Sequence, residues 1–306
     1  MFSTPILLIV FNRPHLTAKV LDSLLALQPD TLYVAADGPR QNNSSDIKRC
    51  SETRELIKSK ITWPCQLKTR FLNENKGCGK AVSEAISWFF SENEQGIILE
   101  DDCLPDPSFY TFCEQLLLKY KSNEEIMHIG GANFQDGKKR GDGSYYFSSE
   151  IHVWGWASWK RAWNTFDYNI SDLQQFTATD KIKKYYQDKT IIRYWYNIFQ
   201  RMQTHEIDTW DYQWRYAIWK SGGLAIIPQK NLVSNIGFGA DATHTTATAS
   251  SDNVPSQAID NVLVHPAAII RDTAADQYTF DHHYRPNSIK NSLMTRVRSK
   301  IKRLLR

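Results

Sequence analysis

The stretch Gly96-Ile97-Ile98-Leu99-Glu100-Asp101-Asp102 decides the reading of this chain: a short apolar run that stops on three consecutive carboxylates. A run of this length bounded by turn signals reads as a strand buried on both faces. Upstream, Pro5 to Phe11 is a second such run, and Thr31 to Ala36 (TLYVAA) a third, stopped by Asp37-Gly38-Pro39. Between those two, Leu16, Val20, Leu21, Leu24 and Leu27 mark one face of a helix, with Thr17 a candidate N-cap and Pro29 beyond the end. Strand, helix, strand at this spacing predicts a right-handed crossover in a parallel sheet. A helix is expected around Ser51 to Lys60 and a strand over Gln66 to Leu72. Val82, Ala85, Ile86 and Phe89 give the next helical face, and Phe109, Phe112, Leu116 and Leu117 another after the acidic turn. The first 120 residues therefore read as an open α/β sheet, and such sheets bind ligands beyond the carboxyl ends of their strands. Asn12-Arg13, Asp37-Gly38 and Glu100-Asp101-Asp102 all fall at those ends.

From about Ile126 the texture changes, and eight of the ten tryptophans lie between Trp154 and Trp219. No repeat and no Pro- or Gly-rich linker separates the halves, so residues 1–125 and 126–287 are expected to be two halves of one domain with a shared core, followed by a basic tail over 288–306. The small, polar stretch from Gly239 to Pro255 reads as a loop.

The 306 residues are 42% hydrophobic and 23% charged, which excludes a disordered chain, a collagen-like rod and a disulfide-stapled miniprotein. The longest apolar stretch, Ile6 to Phe11, is far short of the roughly 20 residues that span a bilayer. No secretory signal is legible, and five cysteines without C-x-x-C pairing suit a reducing compartment, so the expected location is the cytoplasm. The net charge of +4 is uneven. Ser288 to Arg306 holds seven basic residues and no acid, leaving 30 basic against 33 acidic groups in the body. In that tail Ile289, Leu293, Val297, Ile301 and Leu304 would form an apolar helical stripe flanked by cations, which suits peripheral contact with the anionic inner face of the cytoplasmic membrane; a terminal helix packed on its own domain, or a frayed tail, fits as well. The acidic body offers nucleic acid no basic track.

Three adjacent carboxylates raise one another's pKa unless a cation sits among them. A hard divalent ion, Mg2+ or Mn2+, is a natural partner, taking one or two carboxylates and completing its shell with water and substrate phosphate oxygens. A solvated turn, or an aspartate capping the helix that starts near Pro105, accounts for the same residues.

With its continuation ILEDDCLPDPSFYTF, the triplet resembles the acidic metal-binding motif of nucleotide-sugar-dependent glycosyltransferases of the GT-A fold, in the EDD form of the N-acetylglucosaminyltransferase I type. PILLIVFNRP resembles their first strand, YVAADGPR the second, and NKGCGKAVSEAI the glycine-containing segment and helix before the acidic motif. VWGWASWKRAW, DTWDYQWRYAIW and NIGFGADATHT resemble a bacterial branch, related to family 2, that modifies surface polysaccharides. The likeness runs over about residues 5 to 245 and implies a Rossmann-like, mostly parallel open sheet flanked by helices, with an aromatic-rich acceptor-side half.

Carried across residue by residue, the resemblance makes Asp102 the metal-binding carboxylate and turns Glu100 and Asp101 toward the donor ribose or sugar. Phe11, Asn12, Arg13 and Asp37 match positions lining the nucleotide pocket, and Lys76 and Gly77 the segment nearest the phosphates. Arg13 and Lys76 supply cations for a diphosphate, and Gly77 permits close backbone approach. Each has an ordinary alternative, a surface charge for Arg13 and a common turn pair for Asp37-Gly38. Inverting transfer needs a base on the acceptor hydroxyl, and Asp211 in Thr209-Trp210-Asp211-Tyr212 occupies the family's place for it, with Asp208 second and an N-cap role as the alternative. Trp154, Gly155, Trp156 and Trp210 are the acceptor-side candidates, because a pyranose stacks its apolar face on an indole. Trp159 and Trp163, four residues apart, read as core. His244 is the candidate to complete a metal shell or touch the diphosphate from a closing loop, or else a solvated histidine.

Gln213-Trp214-Arg215-Tyr216 departs from the Gln-x-x-Arg-Trp pattern of processive polysaccharide synthases. The expectation is thus a glycosyltransferase moving one sugar from a nucleotide diphosphate sugar to a glycan or glycolipid acceptor, with a divalent metal. Two rivals remain: a sugar-phosphate nucleotidyltransferase, which would normally carry a Gly-rich loop where this chain has Phe11-Asn12-Arg13-Pro14, and a carbohydrate-binding protein that kept the fold without the chemistry.

Overall fold

A computed structural model describes residues 2–238 and 254–284. The N-terminal half alternates as the apolar pattern requires: β1 (Ile6–Val10), α1 (Pro14–Leu27), β2 (Thr31–Ala36), α2 (Ser44–Lys60), β3 (Gln66–Phe71), α3 (Cys78–Glu92) and β4 (Gln95–Glu100). Next come β5 (Cys103–Pro105) and α4 (Pro107–Lys119). The second half contributes β6 (Ile126–Gly130), β7 (Tyr145–Ser148), β8 (Trp156–Trp159), α5 (Lys160–Trp163), α6 (Leu173–Ala178), a 3-10 turn (Lys181–Lys184), α7 (Lys189–Gln203), α8 (Asp211–Lys220), β9 (Leu224–Pro228), β10 (Val233–Asn235) and α9 (Thr273–Thr279), which runs into a wider turn (Phe280–Tyr284).

One eight-stranded sheet, ordered β3-β2-β1-β4-β8-β6-β9-β7, runs through both halves. β3, β2, β1 and β4 are parallel neighbours, as are β6 and β9, while β8 and β7 run against their neighbours. The molecule is therefore a mixed α/β protein with a large, mostly parallel, Rossmann-like sheet flanked by helices. Strand β8 enters beside β4 and ties the tryptophan-rich half to the N-terminal half, Ile97 and Ile98 pairing with Ala157 and Trp156. A two-stranded ribbon of β10 against β5 sets Asn235 opposite Cys103 and so carries the chain after it to the acidic turn.

Three boundaries differ from the sequence reading. Helix α1 starts at Pro14 rather than at a Thr17 cap, since proline suits the first helical position, and the Thr17 hydroxyl instead donates to the Arg13 carbonyl at 3.0 Å. Helix α2 begins seven residues before Ser51, with the Asn43 side chain accepting from the Asp46 amide at 3.1 Å; its first turns are too polar to show an apolar period. Helix α4 is capped by Asp106, whose carboxylate accepts from Ser108 N at 2.9 Å, so the three upstream carboxylates are left to other work.

The second half packs around stacked aromatics. Trp156 (0% exposed) lies between His128 (5.1 Å, rings 20° apart) and Trp210 (5.6 Å, 25°), and Trp163 stacks on Phe166 at 4.3 Å. Trp214 Nε1 donates to His128 Nδ1 at 3.2 Å, which leaves the proton of a neutral imidazole on Nε2, facing the His152 carbonyl at 3.1 Å. Burial drives His128 down to about 3, so it stays neutral in the fold. Arg215 and Glu150, both buried, form an ion pair; the Tyr186 hydroxyl donates to Glu150 at 2.5 Å, Arg215 donates to the Tyr284 hydroxyl at 2.8 Å, and its guanidinium lies 4.4 Å from the Trp195 ring centroid.

Candidate functional site

Beyond the carboxyl ends of β1, β2 and β4 lies a cavity of about 480 Å³, walled by residues from both halves of the chain. Phe11 and Arg13 come from the end of β1, Asp37 from the end of β2, Gly77 and Cys78 from the start of α3, and Glu100, Asp101 and Asp102 from the end of β4. The other half supplies Trp154, Asp208, Asn235, Gly237 and Phe238. The β5–β10 ribbon sets the last group: Ile236 N donates to the Asp102 carbonyl at 2.8 Å, and a Cβ on Gly237 would lie 2.4 Å from an Asp102 carboxylate oxygen. Only glycine permits that approach.

The three carboxylates differ in surroundings. Asp101 is 2% exposed and lies under the turn, where it pairs with Arg13 and accepts from the Phe11 amide at 3.4 Å. Arg13 also reaches Asp102, Nη1 to Oδ2, at 3.0 Å. Burial works against the Arg13 charge, but the charges of Asp101 and Asp102 outweigh it and raise its pKa. Burial first, then the charges of Asp102 and Asp101, push Glu100 up to about 8; burial also raises Asp101, against the pull of Arg13. Three carboxylates thus share one guanidinium, an excess of negative charge that a hard dication would offset. Among the described residues no three His, Cys, Asp or Glu side chains converge as a protein-only metal cage. An ion of the Mg2+ kind needs none, since one or two carboxylates with water and phosphate oxygens suffice, so the oxygen donors present fit such an ion, with Asp102 the one beside Gly237 at the cavity.

Asp37 accepts from Gly38 N at 2.8 Å, Lys76 N at 3.0 Å and Asn75 Nδ2 at 2.8 Å, fixing the segment before α3 against β2. Its pKa is raised chiefly by burial, with these backbone hydrogen bonds opposing. Gly77 takes φ +81°, the left-handed region that favours glycine.

Several expected residues stand elsewhere. Asn12 is buried off the cavity wall, its Nδ2 donating to Asp46 at 2.7 Å. Lys76 is not itself on the wall, but its ammonium pairs at 2.6 Å with Glu84, which is. Arg13 does lie on the cavity wall, where its guanidinium is paired with Asp101 and Asp102. Trp156 and Trp210 (2% exposed) belong to the stacked core, so the acceptor-wall expectation for them is replaced by a packing role. Gly155, at φ +62°, is buried; a Cβ there would meet Val233 at 2.8 Å, so its freedom serves backbone packing rather than a ligand. Trp154 does face the cavity, edge-on to Phe238 at 5.6 Å and to Phe134 at 4.9 Å. Asp211 opens α8 just off the wall, accepting from the Thr209 hydroxyl at 2.5 Å, and its charge is felt by Glu100 and Cys78. His244 and the 288–306 tail lie outside the described residues. Among the described residues no helix is long and apolar enough to cross a membrane.

Sequence reasoning passed over Arg40, Arg70, Asn75, Asn235 and Phe238, all on the cavity wall. Arg40 and Asn75 flank residues already singled out, and Asn235 and Phe238 sit within the quoted NIGFG segment, so position relative to the motifs was the available signal.

No protein-family model matches the chain, and no curated protein matches it. Solved structures similar to it include apo UDP-glucose pyrophosphorylase, 10% identical with TM-score 0.37 over 76% of this chain and 93% of that one. HddC from Yersinia pseudotuberculosis complexed with GMP-PN is 10% identical, TM-score 0.31, over 52% and 77%. UDP-glucose pyrophosphorylase complexed with UDP-glucose is 11% identical, TM-score 0.26, over 43% of this chain; the match spans 64% of that protein, just under two thirds of its length.

Proposed function

We propose that the chain is an inverting, metal-dependent glycosyltransferase that moves one sugar from a nucleotide diphosphate sugar to a glycan acceptor, which a lipid can carry. The observation that carries this reading is the shared crevice: the carboxylates ending β4 open into the same cavity as Asp37 and Gly77 on one side and Trp154 and Phe238 on the other. A donor nucleotide lies along the ends of β1 and β2, between Phe11, Asp37 and Gly77. The acceptor sugar approaches from the Trp154 side, its apolar face against the indole and its hydroxyls toward carboxylates. The Asp211 carboxylate takes the proton of the acceptor hydroxyl; that oxygen bonds to the anomeric carbon as the bond from this carbon to the phosphate oxygen breaks, and the nucleoside diphosphate leaves with the electron pair. A divalent metal held by Asp102 would neutralise charge on the departing diphosphate. The 480 Å³ cavity lies in the size range of small-ligand sites.

The second reading is sugar-phosphate nucleotidyl transfer, the chemistry of the pyrophosphorylases among the similar structures. Against it, the turn after β1 has no glycine, and its guanidinium is taken up by Asp101 and Asp102.

Incubation with a panel of UDP-, GDP- and CMP-sugars and Mn2+ separates the readings. Release of free nucleotide that rises with a glycan acceptor supports transfer. Formation of nucleoside triphosphate and sugar phosphate only when pyrophosphate is added supports the second reading. Neither product, with no metal-dependent nucleotide binding, leaves a binding protein.

A further inference from the structure

Helix α3 begins at the cavity without a cap of its own: Gly77 at the N-cap position offers no side chain, and no local side chain satisfies the first amides. They are satisfied instead from far along the chain. The Asp208 carboxylate accepts from Cys78 N at 2.9 Å and from Gly79 N at 2.8 Å, one oxygen to each. Two glycines make room for it. A Cβ on Gly77 would lie 2.6 Å from an Asp208 oxygen, and one on Gly79 would lie 2.7 Å from both the Thr209 carbonyl and the Tyr168 hydroxyl. A helix start leaves its first amides without intrahelical partners, and an anion there also gains from the helix dipole, so this two-oxygen contact, half-open to solvent, ties the 207–210 segment to α3.

That segment leads directly to Asp211. The Thr209 hydroxyl donates to the Asp211 carboxylate at 2.5 Å, and the Thr209 carbonyl accepts from Gln213 Nε2 at 3.0 Å, one turn into α8. The path from the nucleotide half to the acceptor half is thus α3 amides, Asp208, Thr209, Asp211. Both Asp208 oxygens are engaged by backbone donors, so this residue is badly placed to take a substrate proton, although it lies on the cavity wall.

The geometry points to Asp208 as a positioning residue: by closing the N-terminus of α3 it fixes the Thr209–Asp211 turn, and with it the base, relative to the carboxylates that end β4. This assignment rests on the transfer reading above and adds to it a residue that acts through Asp211 rather than on the sugar.

The test compares Asp208→Ala and Asp208→Asn with wild type in steady-state transfer. A base displaced by about 1 Å costs on the order of 100-fold in rate. Asp208→Ala is therefore expected to lower kcat by that order with the donor KM unchanged. Asp208→Asn keeps one acceptor oxygen, so it should recover part of the loss, and it carries the test if the alanine variant fails to fold. An active wild type whose variants match it in kcat, or lose donor binding as steeply as rate, overturns the assignment alone. A wild type inactive with every donor overturns the transfer reading and this assignment with it.

Discussion

Arg13 is the only guanidinium contacting the Glu100–Asp102 turn among the described residues, and replacing it by methionine tests the electrostatics of the site without invoking any substrate. Its side chain is 13% exposed, and its two partners, Asp101 and Asp102, are 3% and 15% exposed. Removing one partner of a buried ion pair costs about 3–5 kcal/mol, because the remaining charge is left without compensation. The lower end applies here, since Asp102 can hydrate toward the cavity and Asp101 is already displaced toward its neutral form. A loss of about 3 kcal/mol in a chain of 306 residues lowers the Tm by roughly 5 °C. A second effect runs in the opposite direction. Without Arg13, a divalent ion meets less competition for the same oxygens, and an ion present at about a hundredfold over its Kd returns about 2.7 kcal/mol. Calorimetry of Arg13→Met with and without Mg2+, at matched ionic strength, should therefore show a large loss that Mg2+ partly restores, with a Mg2+ response greater than that of the wild type. An unchanged Tm, or a Mg2+ response no larger than the wild type's, would refute the view that these carboxylates form a cation site.

The buried polar groups give two further outcomes. His128 is held neutral in the fold but titrates near 6.5 when unfolded, so the unfolded chain binds the extra proton; stability is intact above that value and falls as pH drops below it, by about 1.4 kcal/mol per pH unit. His128→Gln should flatten the slope of urea-unfolding free energy between neutral pH and about pH 5, and an unchanged slope would show that His128 is not the responsible group. In the Arg215–Glu150 pair, Arg215→Met alone should cost about 3–5 kcal/mol while Arg215→Met with Glu150→Gln recovers much of it, because the second change removes the stranded charge; a double variant as unstable as the sum of the singles contradicts this.

The N-terminal half was legible because its information is local. Apolar runs such as Ile6 to Val10 and Ile97 to Leu99 fix strands, and the residues at the carboxyl end of each strand lie at the ligand edge by topology alone. Hence Asp37, Gly77 and the acidic turn were found from sequence and do line one cavity. The tryptophan-rich half was harder because its contacts are long-range. Trp154 and Trp156 are two residues apart in a stretch of similar texture, yet one faces the cavity and the other stacks on Trp210; Trp156 opens β8, whereas Trp154 precedes the strand across Gly155 at φ +62°, a backbone turn that composition does not reveal. Arg13 lines the cavity as its position after the first strand implies, but its two carboxylate partners, some 90 residues away, are invisible to a local reading. Asp208 and the α3 amides are separated by about 130 residues, and no periodicity connects them.

The central claim is that the turn after β4 holds a metal-bound diphosphate, and titration of nucleoside diphosphate into the protein tests it most directly. Binding should require Mn2+, should weaken at least about tenfold in Asp102→Asn, and should be unchanged in Asp211→Asn, whose loss lies in turnover alone. Tight binding without metal, or an equal loss of affinity in both variants, would contradict the account.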